Sequence, residues 1–94
     1  MMKAIWNNEI LAESDDTIVV ENNHYFPPTS VNDQFLEGSP THTTCNWKGI
    51  ASYYTIAADD KQNEDAAWYY PAPKEKARNI KDYIAFWRGV EVVE

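Results

Sequence analysis

Ile50-Ala51-Ser52-Tyr53-Tyr54-Thr55-Ile56-Ala57 reads as one long strand, and the rest of the chain arranges itself around that reading. Its β-branched and aromatic residues suit a pleated surface. Ile50, Ser52, Tyr54 and Ile56 share one face; Ala51, Tyr53, Thr55 and Ala57 share the other. Residues 59–65 are polar and read as a connection. Residues 66–70 (Ala-Ala-Trp-Tyr-Tyr) read as the returning strand, ended by Pro71 and Pro73.

Upstream, the pattern is short strands and tight turns. Residues 3–6 and 9–13 are candidate strands about Asn7-Asn8, and Asn tolerates the positive φ that hairpin turns require. Residues 17–21 are rich in β-branched side chains. Asn22-Asn23 offers a second turn before His24-Tyr25-Phe26, and Pro27-Pro28 stops that strand. Residues 30–36 suit a single helical turn, Gly38-Ser39-Pro40 breaks it, and residues 41–49 are polar without a period. Downstream, Ala77, Ile80, Ile84 and Trp87 recur at helical spacing, so residues 74–87 predict one amphipathic helix with Gly89 as its stop. Val90, Val92 and Val93 suggest a closing strand. The expected architecture is mainly β: a compact barrel or roll of mostly antiparallel strands carrying one C-terminal helix, in a single domain over residues 1–94.

Composition narrows the function classes. Acids outnumber bases 15 to 8, for a net charge of −7. Phosphate backbones and anionic lipid surfaces are held by clustered cations, so neither nucleic acid nor a membrane is an expected partner. No apolar run approaches spanning length, and Met1-Met2-Lys3-Ala4-Ile5-Trp6 lacks a signal-peptide core, which points to a cytoplasmic protein. The three glycines form no phosphate-cradling fingerprint. One cysteine and two histidines fall short of a closed zinc tetrad, so neither metal nor cofactor is expected.

Chemistry concentrates in His42-Thr43-Thr44-Cys45-Asn46-Trp47-Lys48-Gly49. The segment holds the sole cysteine, and Lys48 is the only basic residue between Lys3 and Lys61. An ammonium near Cys45 would depress the thiol pKa or hold an anionic ligand group, with His42 as a possible base. The structural reading is that Cys45 is a small buried hydrophobe, as free cysteines commonly are, and Lys48 the partner of a surface acid. The aromatic cluster of Trp47, Tyr53, Tyr54, Trp68, Tyr69 and Tyr70 suits either a flat ligand or core packing. Tyr53 and Tyr54 face opposite ways on a strand, as do Tyr69 and Tyr70, so at most one of each pair lines a given pocket. The candidate cleft residues are Thr44, Cys45, Lys48, Tyr53, Tyr54, Trp68 and Tyr70.

Thr43-Thr44-Cys45-Asn46-Trp47-Lys48-Gly49-Ile50-Ala51-Ser52-Tyr53-Tyr54 resembles one signature of the bacterial and fungal domain of unknown function 427 family. Asn63-Glu64-Asp65-Ala66-Ala67-Trp68-Tyr69-Tyr70-Pro71-Ala72-Pro73 resembles a second. Tyr25-Phe26-Pro27 and residues 80–87 resemble its early strand and closing helix. The family pattern has proline after the cysteine, where this chain has Asn46, which does not fix φ. The resemblance implies a β-tent-like fold, similar to methionine sulfoxide reductase B and small zinc-binding chaperones. Those relatives often carry paired CxxC zinc ligands; this chain has one cysteine, so that zinc is not expected here. A nucleotidyltransferase-like label has been attached to the family, but no phosphate loop or paired-carboxylate motif here supports that chemistry.

Two expectations of function follow. One is a small-molecule site, enzymatic or purely binding, on residues 43–49 and nearby rings. The other is a non-catalytic protein-interaction module using exposed aromatics or a sheet edge. A concave cleft favours the first and a flat apolar patch the second.

Overall fold

The computed structural model describes residues 1–94. Nine strands account for most of the regular structure: β1 (Met2–Trp6), β2 (Glu9–Ser14), β3 (Ile18–Val20), β4 (Asn23–Tyr25), β5 (Leu36–Cys45), β6 (Gly49–Ala58), β7 (Lys61–Tyr69), β8 (Ile84–Phe86) and β9 (Glu91–Val93). They form a β2-β1-β9 sheet, a β3-β4 hairpin and a β5-β6-β7-β8 sheet, and every pairing between these strands is antiparallel.

Consecutive hairpins are closed by two-residue turns in which both residues have positive φ: Asn7-Asn8 (52°, 64°), Glu21-Asn22 (52°, 65°) and Asp59-Asp60 (51°, 63°). That geometry matches the right-handed twist of the flanking strands. The second turn falls one residue before the expected Asn22-Asn23. The third is far shorter than the polar connection expected over residues 59–65. β7 begins at Lys61, and its polar residues form a wet, largely exposed end of the strand.

The core lies on both faces of the four-stranded sheet. On one face Ala4, Leu11 and Ala12 of the three-stranded sheet meet Ile56, Ala66, Ala67, Ile84 and Phe86. On the other, Ala51, Tyr70 and Ala85 are covered by Tyr25 from the β3-β4 hairpin and by Ala77 and Ile80. The radius of gyration, 12.4 Å, is that of a fully compacted chain of this length, so no arm projects.

Two features of the expected architecture are corrected. The predicted helix over residues 74–87 does not form. Residues Glu75–Ile80 make a 3-10 turn kinked at Ala77 (φ −112°, ψ 16°), and Asp82 is left-handed at φ 63°. Ala77 and Ile80 are three apart, which serves a 3-10 turn as well as an α-helix. Ile84-Ala85-Phe86 is buried on both faces, with Ile84 and Phe86 entering one core and Ala85 the other. That is strand alternation hidden in a continuous apolar run. β8 also covers the edge of β7 and exchanges backbone hydrogen bonds with Phe26 through Ile84. A helix would offer neither contact.

The sheets also do not close into a barrel: β5 pairs only with β6 and leaves its outer edge free. β5 was hidden in a segment without periodicity because both its faces are largely wet. Its Gly38-Ser39-Pro40 break is a register shift between Gly38 and His42, tolerated on an edge strand.

Candidate functional site

The β5-β6 hairpin delivers Lys48 to the face that the β3-β4 hairpin covers. Cys45 pairs with Gly49 across the loop, and Gly49 adopts φ 113° to complete the turn. A Cβ at Gly49 would lie about 3.5 Å from Ala72 O and Lys74 N, an ordinary contact, so the positive φ is what favours glycine there. The loop is tied down from outside: Lys74 N–H donates to Lys48 O at 2.9 Å, and Lys74 Nζ donates to Asn46 O at 2.6 Å.

So held, Lys48 is only 6% exposed. Its ammonium lies over the rings of Trp47 (5.0 Å to the centroid) and Tyr70 (5.8 Å), a favourable position for a cation. Its carboxylate partner is Glu21, from the tip of the β3-β4 hairpin, whose side chain is 55% exposed. Burial pushes the Lys48 pKa down, but the Glu21 bond and the neighbouring Tyr25, Cys45 and Glu21 charges outweigh it. The net shift is upward, and the side chain stays protonated. The Lys48 hydrogen bond, aided by the ammonium charge and the indole of Trp47, holds the Glu21 carboxyl below its ordinary value against a smaller opposing effect of burial.

Beside this ion pair is a cavity of about 150 Å³ lined by Asn23, Tyr25, Lys48, Tyr53, Trp68, Tyr70 and Trp87. The β6-β7 register sets Tyr53 directly opposite Trp68. Thr43 Oγ1 and Tyr53 Oη are 2.8 Å apart, which fixes the phenol. Trp68 stands edge-on to both Tyr25 (6.1 Å) and Trp87 (5.6 Å) and donates its indole N–H to Tyr25 Oη at 3.1 Å. Trp87 donates to Asp65 O at 2.6 Å and carries the Arg88 guanidinium over its ring at 4.6 Å. Burial raises the pKa of both the Tyr25 and Tyr70 phenols, so they remain neutral walls.

Of the residues singled out in sequence, Lys48, Tyr53, Trp68 and Tyr70 come together here. Tyr54 lies on the opposite face, stacked on Tyr69 at 4.7 Å, and burial pushes its pKa up to about 12. Thr44 is exposed and pairs with Ile50 on the edge of the sheet. Cys45 is half-buried against the rings without lining the cavity. Burial pushes its thiol up, but the backbone N–H groups of Lys48 and Trp47 and the Lys48 charge outweigh it, leaving the pKa below its ordinary value. His42 faces Ser52 at 3.3 Å. No three His, Cys, Asp or Glu side chains converge in an arrangement that would hold a metal ion.

Glu21, Asn23, Tyr25 and Trp87 were not anticipated as site residues. Trp87 was hidden in the supposed helical stripe. Glu21 carried a signal, being a glutamate where a two-residue turn favours Asn, Asp or Gly. A larger hollow of about 360 Å³ sits over the Asp59-Asp60 turn, bordered by Glu37, Lys61 and Gln62, and it has no aromatic wall.

A family model described as Domain of unknown function (DUF427) matches residues 1–94, and the chain belongs to that family. No curated protein matches the sequence.

Proposed function

We propose that this member of the DUF427 family binds a small, flat organic molecule in the cavity between the β5-β6 hairpin and the β3-β4 hairpin. The observation that carries the reading is a buried, protonated Lys48 facing a concave, ring-lined space. Binding sites are typically apolar hollows with a few well-placed polar groups, and here Lys48 and the Asn23 amide are those groups. At about 150 Å³ the space is below the usual 300–1,000 Å³ of drug-sized pockets, so it suits a single ring or a fragment of a larger molecule. The role of Lys48 is electrostatic, because a protonated amine is neither a nucleophile nor a base. Cys45 packs against the rings without lining the cavity. The β-tent-like arrangement implied by resemblance belongs to this same reading: two sheets lean together and leave the cavity on the outer face of one of them.

A thermal-shift screen of small aromatic fragments tests it. Stabilising fragments are expected for the native chain and for Cys45→Ala, with loss of the shift in Tyr53→Ala or Trp68→Leu. A screen with no stabilising fragment would sink the proposal.

A second reading, a protein-interaction module, is supported by the free outer edge of β5, which could accept an added strand. It predicts that exchange-protected amides appear along β5 when partner is present, with the cavity unaffected.

A further inference from the structure

We propose that the cavity is a carboxylate-binding site whose cation, Lys48, is held by the neighbouring, displaceable Glu21 until the ligand, a small aromatic or planar carboxylate, takes it over. The inference rests on the cavity reading above and assigns its ligand class.

Lys48 has three N–H donors, and Glu21 is its one hydrogen-bond acceptor within the chain. The rings of Trp47 and Tyr70 lie under it and Lys48 itself lines the cavity, so its unused donors are within reach of a molecule bound there. Elsewhere the chain is acidic, with a net charge of −7, and Lys48 is the only cation lining this hollow. An anion is therefore admitted at one point.

Glu21 shows what kind of anion the ammonium accepts, because a carboxylate already bonds it. It is also placed to leave. Its side chain is 55% exposed, so on release its charge returns to water, whereas Lys48 stays buried. Its backbone is at φ 52°, in a turn type that the same chain builds elsewhere with Asn7-Asn8 and Asp59-Asp60. Glu is the costlier residue in left-handed conformation, and a residue kept there against local preference points to its side chain. A phosphate group fits less well: it carries up to two charges, and the lining offers one ammonium, no arginine and no helix terminus.

The test compares benzoate with benzamide, an uncharged molecule of nearly the same shape, by quenching of tryptophan fluorescence. Titrations use the full chain, Glu21→Gln and Lys48→Met. Lys48→Met is expected to fold, since an apolar side chain of similar length commonly replaces a buried charge and the abandoned Glu21 is solvated. A one-dimensional proton spectrum checks this. Benzoate is expected to bind the native chain more tightly than benzamide. Glu21→Gln should tighten benzoate about tenfold and Lys48→Met weaken it about tenfold or more, the scale of one charge-assisted bond gained or lost, with benzamide changed less than about threefold. Equal binding of the two probes, unmoved by Glu21→Gln, would overturn the carboxylate assignment and leave the cavity reading standing. Inorganic phosphate displacing benzoate at equal concentration would overturn the choice of carboxylate. Binding of neither probe to any of the three proteins would overturn the assignment and the cavity reading together.

Discussion

Lys48 keeps its charge inside a wall of rings because Glu21 meets it there, and the pH dependence of that pair has a definite sign. Glu21 has its pKa lowered on folding, so its contribution is present above the ordinary carboxyl value of 4.5 and is lost as pH falls through the lowered one. Lys48 has its pKa raised, so its contribution is complete below 10.5 and is lost as pH rises through the higher folded value. Thermal melts of the native chain and Glu21→Gln should therefore differ at neutral pH and converge in acid; a gap that persists at the lowest pH would contradict the pairing. Cys45 reports on the same charge. Its alkylation midpoint is expected below 9.0 and should rise in Lys48→Met, because the ammonium favours the thiolate. A midpoint at the ordinary value, indifferent to Lys48, would make Cys45 an inert wall. At this scale the sequence was informative about Lys48 and the rings of β6 and β7. They stand close together in the chain, and strand alternation sorts Tyr53 from Tyr54. It was silent about Tyr25 and Asn23, which reach the cavity only because a separate hairpin folds over the sheet.

Turns and bulges hold the elements that carry these side chains. Ser39 Oγ donates to Asp65 Oδ1 at 2.5 Å and Thr41 Oγ1 donates to Oδ2 at 2.8 Å, pinning the β5 irregularity to β7. These bonds hold the Asp65 carboxyl below its ordinary value. Asp65→Ala is expected to lower stability by about 2–3 kcal/mol in urea titration, the range for losing hydrogen bonds to a charged group. Gly49→Ala should cost about 1–2 kcal/mol through its φ of 113°, whereas Gly38→Ala, with open space where its Cβ would stand, should stay within about 0.5 kcal/mol. Equal effects of the two glycine substitutions would contradict the loop geometry. The hairpins at Asn7-Asn8 and along β6 were legible because turn chemistry and alternation agree there. β5 was not, because an edge strand wet on both faces leaves no alternation to read. The C-terminal segment misled for the opposite reason: Ile84-Ala85-Phe86 is buried on both faces, and a continuous apolar run beside Ala77 and Ile80 imitates a helical stripe.

The whole molecule is an antiparallel assembly in which one sheet is covered on both faces, and the cavity lies where the smaller cover, the β3-β4 hairpin, leaves the rings of β6 and β7 incompletely roofed. Cα chemical shifts are expected to confine any helical sense to the Glu75–Ile80 turn and to be extended over Ile84–Phe86, and a continuous helical signature over residues 74–87 would overturn the topology. No helix is long and apolar enough to cross a membrane. Binding of a small molecule in this cavity is watched directly by the indole N–H resonances of Trp68 and Trp87, since both side chains line it while Trp6 and Trp47 do not. A fragment titration followed by proton–nitrogen correlation spectra is the measurement. Saturable shifts of the Trp68 and Trp87 indole signals are expected together with those of the backbone amides of Lys48 and Gly49. Shifts confined to the amides of β5, or none at any fragment concentration, would contradict it.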